Sequence, residues 1–150
     1  MTMDLILWRH AEAEDDAPNG DDLQRALTPR GEKQAARMAA WLDRQITDGL
    51  KILCSPALRC EQTVLPLGRK YKIRDEIAPD TTAQAILDAA QWPKAKQAVL
   101  VVGHQPTLGE AAALLLGSKE GLSIKKGAVW WFRTRENGVT LVAAMSPEMV

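Results

Sequence analysis

The run Ala98-Val-Leu-Val-Val102 is apolar throughout, rich in β-branched residues and closed by Gly103. It is too short for an ordinary helix and has no polar side to offer water, so it predicts a strand buried within a sheet. Leu5 to Trp8 is a run of the same kind, and so, apart from Lys51, is Leu50 to Cys54. Segments of helical period separate them, and that alternation is the pattern of an α/β layer fold with a mostly parallel sheet.

Local signals mark the helices. Thr28-Pro29 supplies an N-cap and a first-turn proline, and Ala35, Met38, Ala39, Leu42 and Ile46 follow at helical spacing. Ser55-Pro56 repeats the signal and predicts a helix to about Leu67, with Arg59 as its fourth residue. A short strand is expected across Tyr71 to Ile77. Ala83, Ile86, Leu87 and Ala90 mark a further helical face that ends at Trp92-Pro93, and Gln105-Pro106 opens a helix to about Leu116. The apolar runs 128–133 and 139–145 flank a polar stretch and predict a hairpin, with Asn137-Gly138 supplying positive φ. Strand period puts Trp131 on the opposite face from Trp130 and Phe132, a packing role.

The chain has 150 residues, 46% of them hydrophobic, which suits one domain spanning 1–150. Nineteen basic and nineteen acidic side chains cancel. No global field then draws the protein to nucleic acid or to an anionic membrane, so any anion site must be local. The four apolar residues before Arg9 are too few for a signal peptide, and a cytoplasmic location is expected. Cys54 and Cys60 are too few for a disulfide framework or a four-ligand zinc site and are read as buried thiols.

Three strands end in polar residues and are each followed by a helix, the first after a polar loop across Ala11 to Asp22: Arg9-His10, Ser55 with Arg59, and His104. In an open, mostly parallel sheet, ligands bind outside the carboxyl ends of the strands. All three units deliver their side chains to that edge, where helix N-termini also favour anions. The chain has two histidines, and both lie there. A neutral His10, with one ring nitrogen free and the other donating a hydrogen bond, is equipped to attack phosphorus. Arg9 and Arg59 supply forked donors for the phosphoryl oxygens, and a protonated His104 supplies another.

Leu5-Ile-Leu-Trp-Arg-His10, Leu27-Thr-Pro-Arg-Gly31, Ser55-Pro-Ala-Leu-Arg59-Cys-Glu-Gln-Thr63 and Val102-Gly-His104-Gln-Pro106 resemble, in order, the motifs of the histidine phosphatase superfamily. The resemblance implies a phosphoglycerate mutase-like three-layer sandwich. It also implies a phosphorylated nucleophile at His10, phosphoryl binding by Arg9 and Arg59, and a pocket completed by His104, with no cofactor and no metal. Ala11 stands where most of the superfamily has Gly. The chain looks closest to the short SixA-type branch, whose members are protein phosphohistidine phosphatases. Little chain lies between Ile77 and Ala98 for the lid and acid-bearing insertion of sugar-phosphate members, so the site is expected to be open.

These features predict a phosphatase of a phosphorylated protein, such as a histidine-containing phosphotransfer domain in a signalling relay. A phosphatase of small phosphate esters and a non-catalytic phosphoprotein-binding module are the alternatives. Glu76 and Asp80 lie where the superfamily carries a general acid, with Glu76 slightly preferred. A P–N bond is labile enough to make little demand on such an acid. Arg25 and Arg30 could extend a phosphate-binding rim but are read as solvated surface. The acidic residues Glu12, Glu14, Asp15, Asp16, Asp21 and Asp22 are read as a solvated loop, since no metal-ligand spacing joins them.

Overall fold

The computed structural model describes residues 2–150. Its centre is a six-stranded sheet in the order β3-β2-β4-β1-β5-β6. The strands are β1 (Asp4–Arg9), β2 (Lys51–Cys54), β3 (Lys72–Ile73), β4 (Val99–Gly103), β5 (Val129–Arg135) and β6 (Gly138–Met145). Strands β1 to β4 run parallel, and β5 and β6 add an antiparallel hairpin beside β1. Every residue of β4 is buried, as its unbroken apolar run requires.

Helices cover both faces. On one face, α1 (Pro29–Gln45) and α2 (Leu58–Val64) place Met38, Leu42, Cys60 and Val64 against Ile6, Trp8, Ile52, Leu100 and Val102. On the other, α3 (Ala83–Ala89) and α4 (Thr107–Leu116) set Ile86, Leu87, Leu108 and Ala112 against Leu5, Leu7, Val99, Val101 and Phe132. The result is the three-layer sandwich. Trp131 packs with the first cluster and Trp130 with the second, as strand alternation requires. Among the described residues, no helix is long and apolar enough to cross a membrane.

Several local expectations are corrected. The helix after Ser55-Pro56 starts at Leu58 with Ala57 at its N-cap, so Arg59 is its second residue. Pro106 is likewise the N-cap of α4, not its first residue. The strand across Tyr71 to Ile77 shrinks to Lys72–Ile73, because Asp75–Ile77 turns into a 3-10 helical turn. In the hairpin, Glu136 and Asn137 form the loop, and positive φ falls on Gly138 but not on Asn137.

Gly31 allows α1 to start where it does. A Cβ there would lie 1.9 Å from the Glu12 carbonyl oxygen. The Thr28 side chain caps α1 by accepting from Gly31 N at 2.9 Å, and Thr28 N donates to the Glu12 carbonyl at 3.0 Å. The start of α1 is thereby clamped to the chain just after His10.

Candidate active site

His10, Arg59 and His104 are all buried, and Arg9 is half-buried. They meet in the wall of one cavity of about 360 Å³ at the carboxyl ends of β1, β2 and β4. Backbone pairing sets the meeting point, since His10 N donates to the Gly103 carbonyl and Ser55 N to the Val102 carbonyl. Three segments far apart in sequence are thus held in one register.

His10 Nδ1 lies 2.7 Å from the Ala11 carbonyl oxygen. Only a protonated Nδ1 can make that bond, so Nε2 keeps its lone pair. Burial pushes the His10 pKa down to about 4, and Arg59, Arg9 and Arg25 push the same way against the Ala11 bond. The ring is neutral at physiological pH, as a nucleophile must be.

His104 is also neutral. Burial, followed by His10 and Arg59, takes its pKa down to about 3. Its Nε2 lies 2.7 Å from Ser55 Oγ, and Arg59 Nη2 donates to its Nδ1 at 3.4 Å. The second contact requires an unprotonated Nδ1, so Nε2–H donates to Ser55.

The arginines are held by backbone. Arg9 Nη1 donates to the Ile124 carbonyl at 2.9 Å. That carbonyl follows a loop pressed onto α4 at Gly109, where a Cβ would lie 1.6 Å from the Leu122 oxygen. Arg59 Nη1 donates to the Asp22 carbonyl at 2.8 Å, and Arg59 Nη2 to Asp22 Oδ2 at 3.1 Å. Among the described residues, the Nε atoms of Arg9 and Arg59 are buried side-chain nitrogens with no partner. Buried N–H groups are rarely left unpaired, and two beside one cavity are free to take an anion's oxygens.

Other cavity residues were only partly evident from sequence. Arg25 lines the wall, contrary to its reading as solvated surface, whereas Arg30 stays exposed and outside it. Asp15, Glu110 and Lys126 also contribute. Asp80 is in the wall, while Glu76 is exposed, outside it and paired with Arg74. The preference for Glu76 over Asp80 is therefore reversed. Thr63 braces the floor, accepting from Ala11 N at 3.0 Å and donating to the Arg59 carbonyl at 2.7 Å. Ser55 serves as the partner of His104 instead of capping α2 directly.

Among the described residues, no three or more His, Cys, Asp or Glu side chains gather as a metal site. Cys54 and Cys60 are free and buried. Burial raises both thiols, Cys60 to about 12, so neither is poised as a nucleophile.

Sheet order, flanking helices and the paired imidazoles define a phosphoglycerate mutase-like α/β phosphatase. The chain belongs to the histidine phosphatase superfamily (branch 1), whose family model matches residues 5–82, and it is of the SixA type. It is 32% identical over 136 residues to a phosphohistidine phosphatase SixA homolog of Haemophilus influenzae, covering 81% of this chain and 82% of that protein. It is also 32% identical to the phosphohistidine phosphatase SixA of Escherichia coli, over 75% of this chain and 74% of the relative. A solved protein histidine phosphatase SixA complexed with tungstate superposes with a TM-score of 0.79 at 27% identity, covering 97% of each chain.

Proposed function

We propose that this phosphatase removes the phosphoryl group from a phosphohistidine on a protein, with His10 as the covalent acceptor. The observation that carries the chemistry is the pair of unpartnered Nε–H groups on Arg9 and Arg59, beside a neutral His10 whose Nε2 is free. In the first step the Nε2 lone pair attacks phosphorus and the substrate P–N bond breaks, its electron pair going to the leaving nitrogen, which takes up a proton. In the second step a water oxygen attacks the phosphorus of phospho-His10. The Nε2–P bond breaks, its electron pair returns to the ring, and inorganic phosphate leaves.

Arg9, Arg59 and His104 hold the three phosphoryl oxygens through both steps. The dianion beside His104 favours its protonated form, so this ring gains a proton as the phosphoryl group arrives. Where a leaving group needs a proton, Asp80 is the carboxyl of the original pair that lies in the cavity wall.

A protein substrate is supported by the short span between β3 and α3. Residues 74–82 make one 3-10 turn and an N-cap, with no chain to spare for a lid over the mouth. The relatives named as phosphohistidine phosphatases support the same reading. A histidine-containing phosphotransfer domain of a signalling relay is a partner of this chemistry. Free buried thiols suit a cytoplasmic setting.

Small phosphate esters are the second reading, and the small size of the cavity favours it. Turnover of a phosphorylated histidine-containing phosphotransfer domain should be compared with turnover of p-nitrophenyl phosphate and 3-phosphoglycerate. The expected result is a kcat/KM at least about a hundredfold higher for the phosphoprotein. Preference for either ester would overturn the protein-substrate assignment.

A further inference from the structure

We infer that Asp22 is a positioning residue for Arg59, fixing which edge of its guanidinium meets the phosphoryl group; this rests on the reading above that Arg59 binds that group. The Asp22 backbone oxygen and carboxylate take Nη1 and Nη2, the two ends of the guanidinium fork. What remains is the side edge, made of the unpaired Nε–H and the second hydrogen of Nη2, which points to His104 Nδ1. A phosphoryl oxygen bound there bridges Arg59 and His104. Asp22 itself does not line the cavity, although Arg59 and Arg25 both do. Its carboxylate, 57% exposed, therefore reaches the arginines from outside the cavity wall.

The same carboxylate orders the rim. Asp22 Oδ1 accepts from Arg25 Nε at 2.9 Å, and Arg25 Nη1 donates to the Glu14 carbonyl at 2.9 Å. Asp22 thus aligns two cavity-lining cations with one group. Its own position is fixed by the loop that carries it. Asp21 caps the 3-10 turn Asp22–Gln24 by accepting from Leu23 N, Asn19 accepts from Asp21 N, and Glu14 N donates to the Ala26 carbonyl. Gln62, one turn beyond Arg59 on α2, accepts from Leu27 N at 2.7 Å and docks the loop onto the helix. Although burial pushes the Asp22 carboxyl up, bonds from Arg25 and Arg59 hold it below the usual range, so it stays charged at neutral pH.

Two opposed effects make the inference testable. Removing a negative charge near an anion site strengthens anion binding by simple Coulomb attraction. Releasing a buried guanidinium from its anchor weakens binding, because the fork no longer presents a fixed edge. The structure places the second effect in control, since Arg59 is buried and Asp22 is its anionic partner.

The experiment measures inorganic phosphate binding by calorimetry for wild type, Asp22→Asn, Asp22→Glu, Arg59→Lys and the Asp22→Asn/Arg59→Lys double variant, with thermal unfolding as a check of folding. Asp22→Asn should weaken phosphate binding about tenfold in the wild-type background and less than about twofold when Arg59 is already Lys. Asp22→Glu should recover part of the loss. Unchanged or tighter binding in Asp22→Asn overturns the inference, as does an equal loss in both backgrounds. If Arg59→Lys alone leaves phosphate binding intact, the reading of Arg59 as a phosphoryl ligand fails first, which separates the two.

Discussion

The rings of His10 and His104 stand 5.4 Å apart between centroids and are tilted by 57°, and burial holds both neutral. Two imidazoles this close resist charging together, and burial has already disfavoured the charged form of each. The consequence for stability has a definite sign. Unfolded histidine titrates near the ordinary value of 6.5, while the folded rings titrate at about 4 and about 3. Between those values the unfolded chain binds more protons, so stability is full above about pH 6.5 and falls as pH drops toward the folded values. Urea unfolding from pH 7.5 to 4.5 should show a loss of several kcal/mol, and His104→Asn should flatten the slope. A flat profile in the wild type would show that the rings are not held neutral.

Ser55→Ala tests the support of His104. The substitution strips Nε2 of its 2.7 Å partner and leaves Ala57 N without its acceptor, both in a buried setting. Stability should fall by about 1–3 kcal/mol. Turnover should fall about tenfold as the ring loses its orientation. Steady-state kinetics beside urea unfolding separates the two effects, and unchanged turnover would remove Ser55 from the site.

Gly31→Ala tests the clamp between α1 and the chain after His10. Its Cβ would sit 1.9 Å from a backbone oxygen, which no rotamer change can relieve. The helix must shift, at a cost of about 2–3 kcal/mol. Thermal unfolding should register this as a lowered Tm, and a Tm equal to the wild type would show that the approach is not tight.

Much of this was legible in the sequence where the demand on a residue is local. The run before Gly103 reads as a buried strand because each of its side chains needs cover, and Thr28-Pro29 reads as a helix start because the cap bond is made within four residues. The same signal misleads at Ser55-Pro56. Ser55 Oγ pairs with His104, forty-nine residues away, and the chain bends through Pro56 and Ala57 before α2 begins at Leu58. Local propensity has no knowledge of that distant partner. Asp22 is the harder case, since nothing in the sequence separates it from the other acids of its loop. Only the fold brings it to Arg59. Glu76 and Asp80 are four residues apart, and which one faces the cavity depends on the turn between β3 and α3.

The central claim is that His10 carries the phosphoryl group during turnover. Brief incubation with a phosphorylated substrate, followed by alkaline quench and mass analysis of peptides, tests it directly. The account predicts a base-stable, acid-labile phosphoryl adduct on the peptide containing His10, absent from His10→Ala, whose turnover falls by at least about a thousandfold. An adduct that persists in His10→Ala, or turnover that survives the substitution, would contradict it.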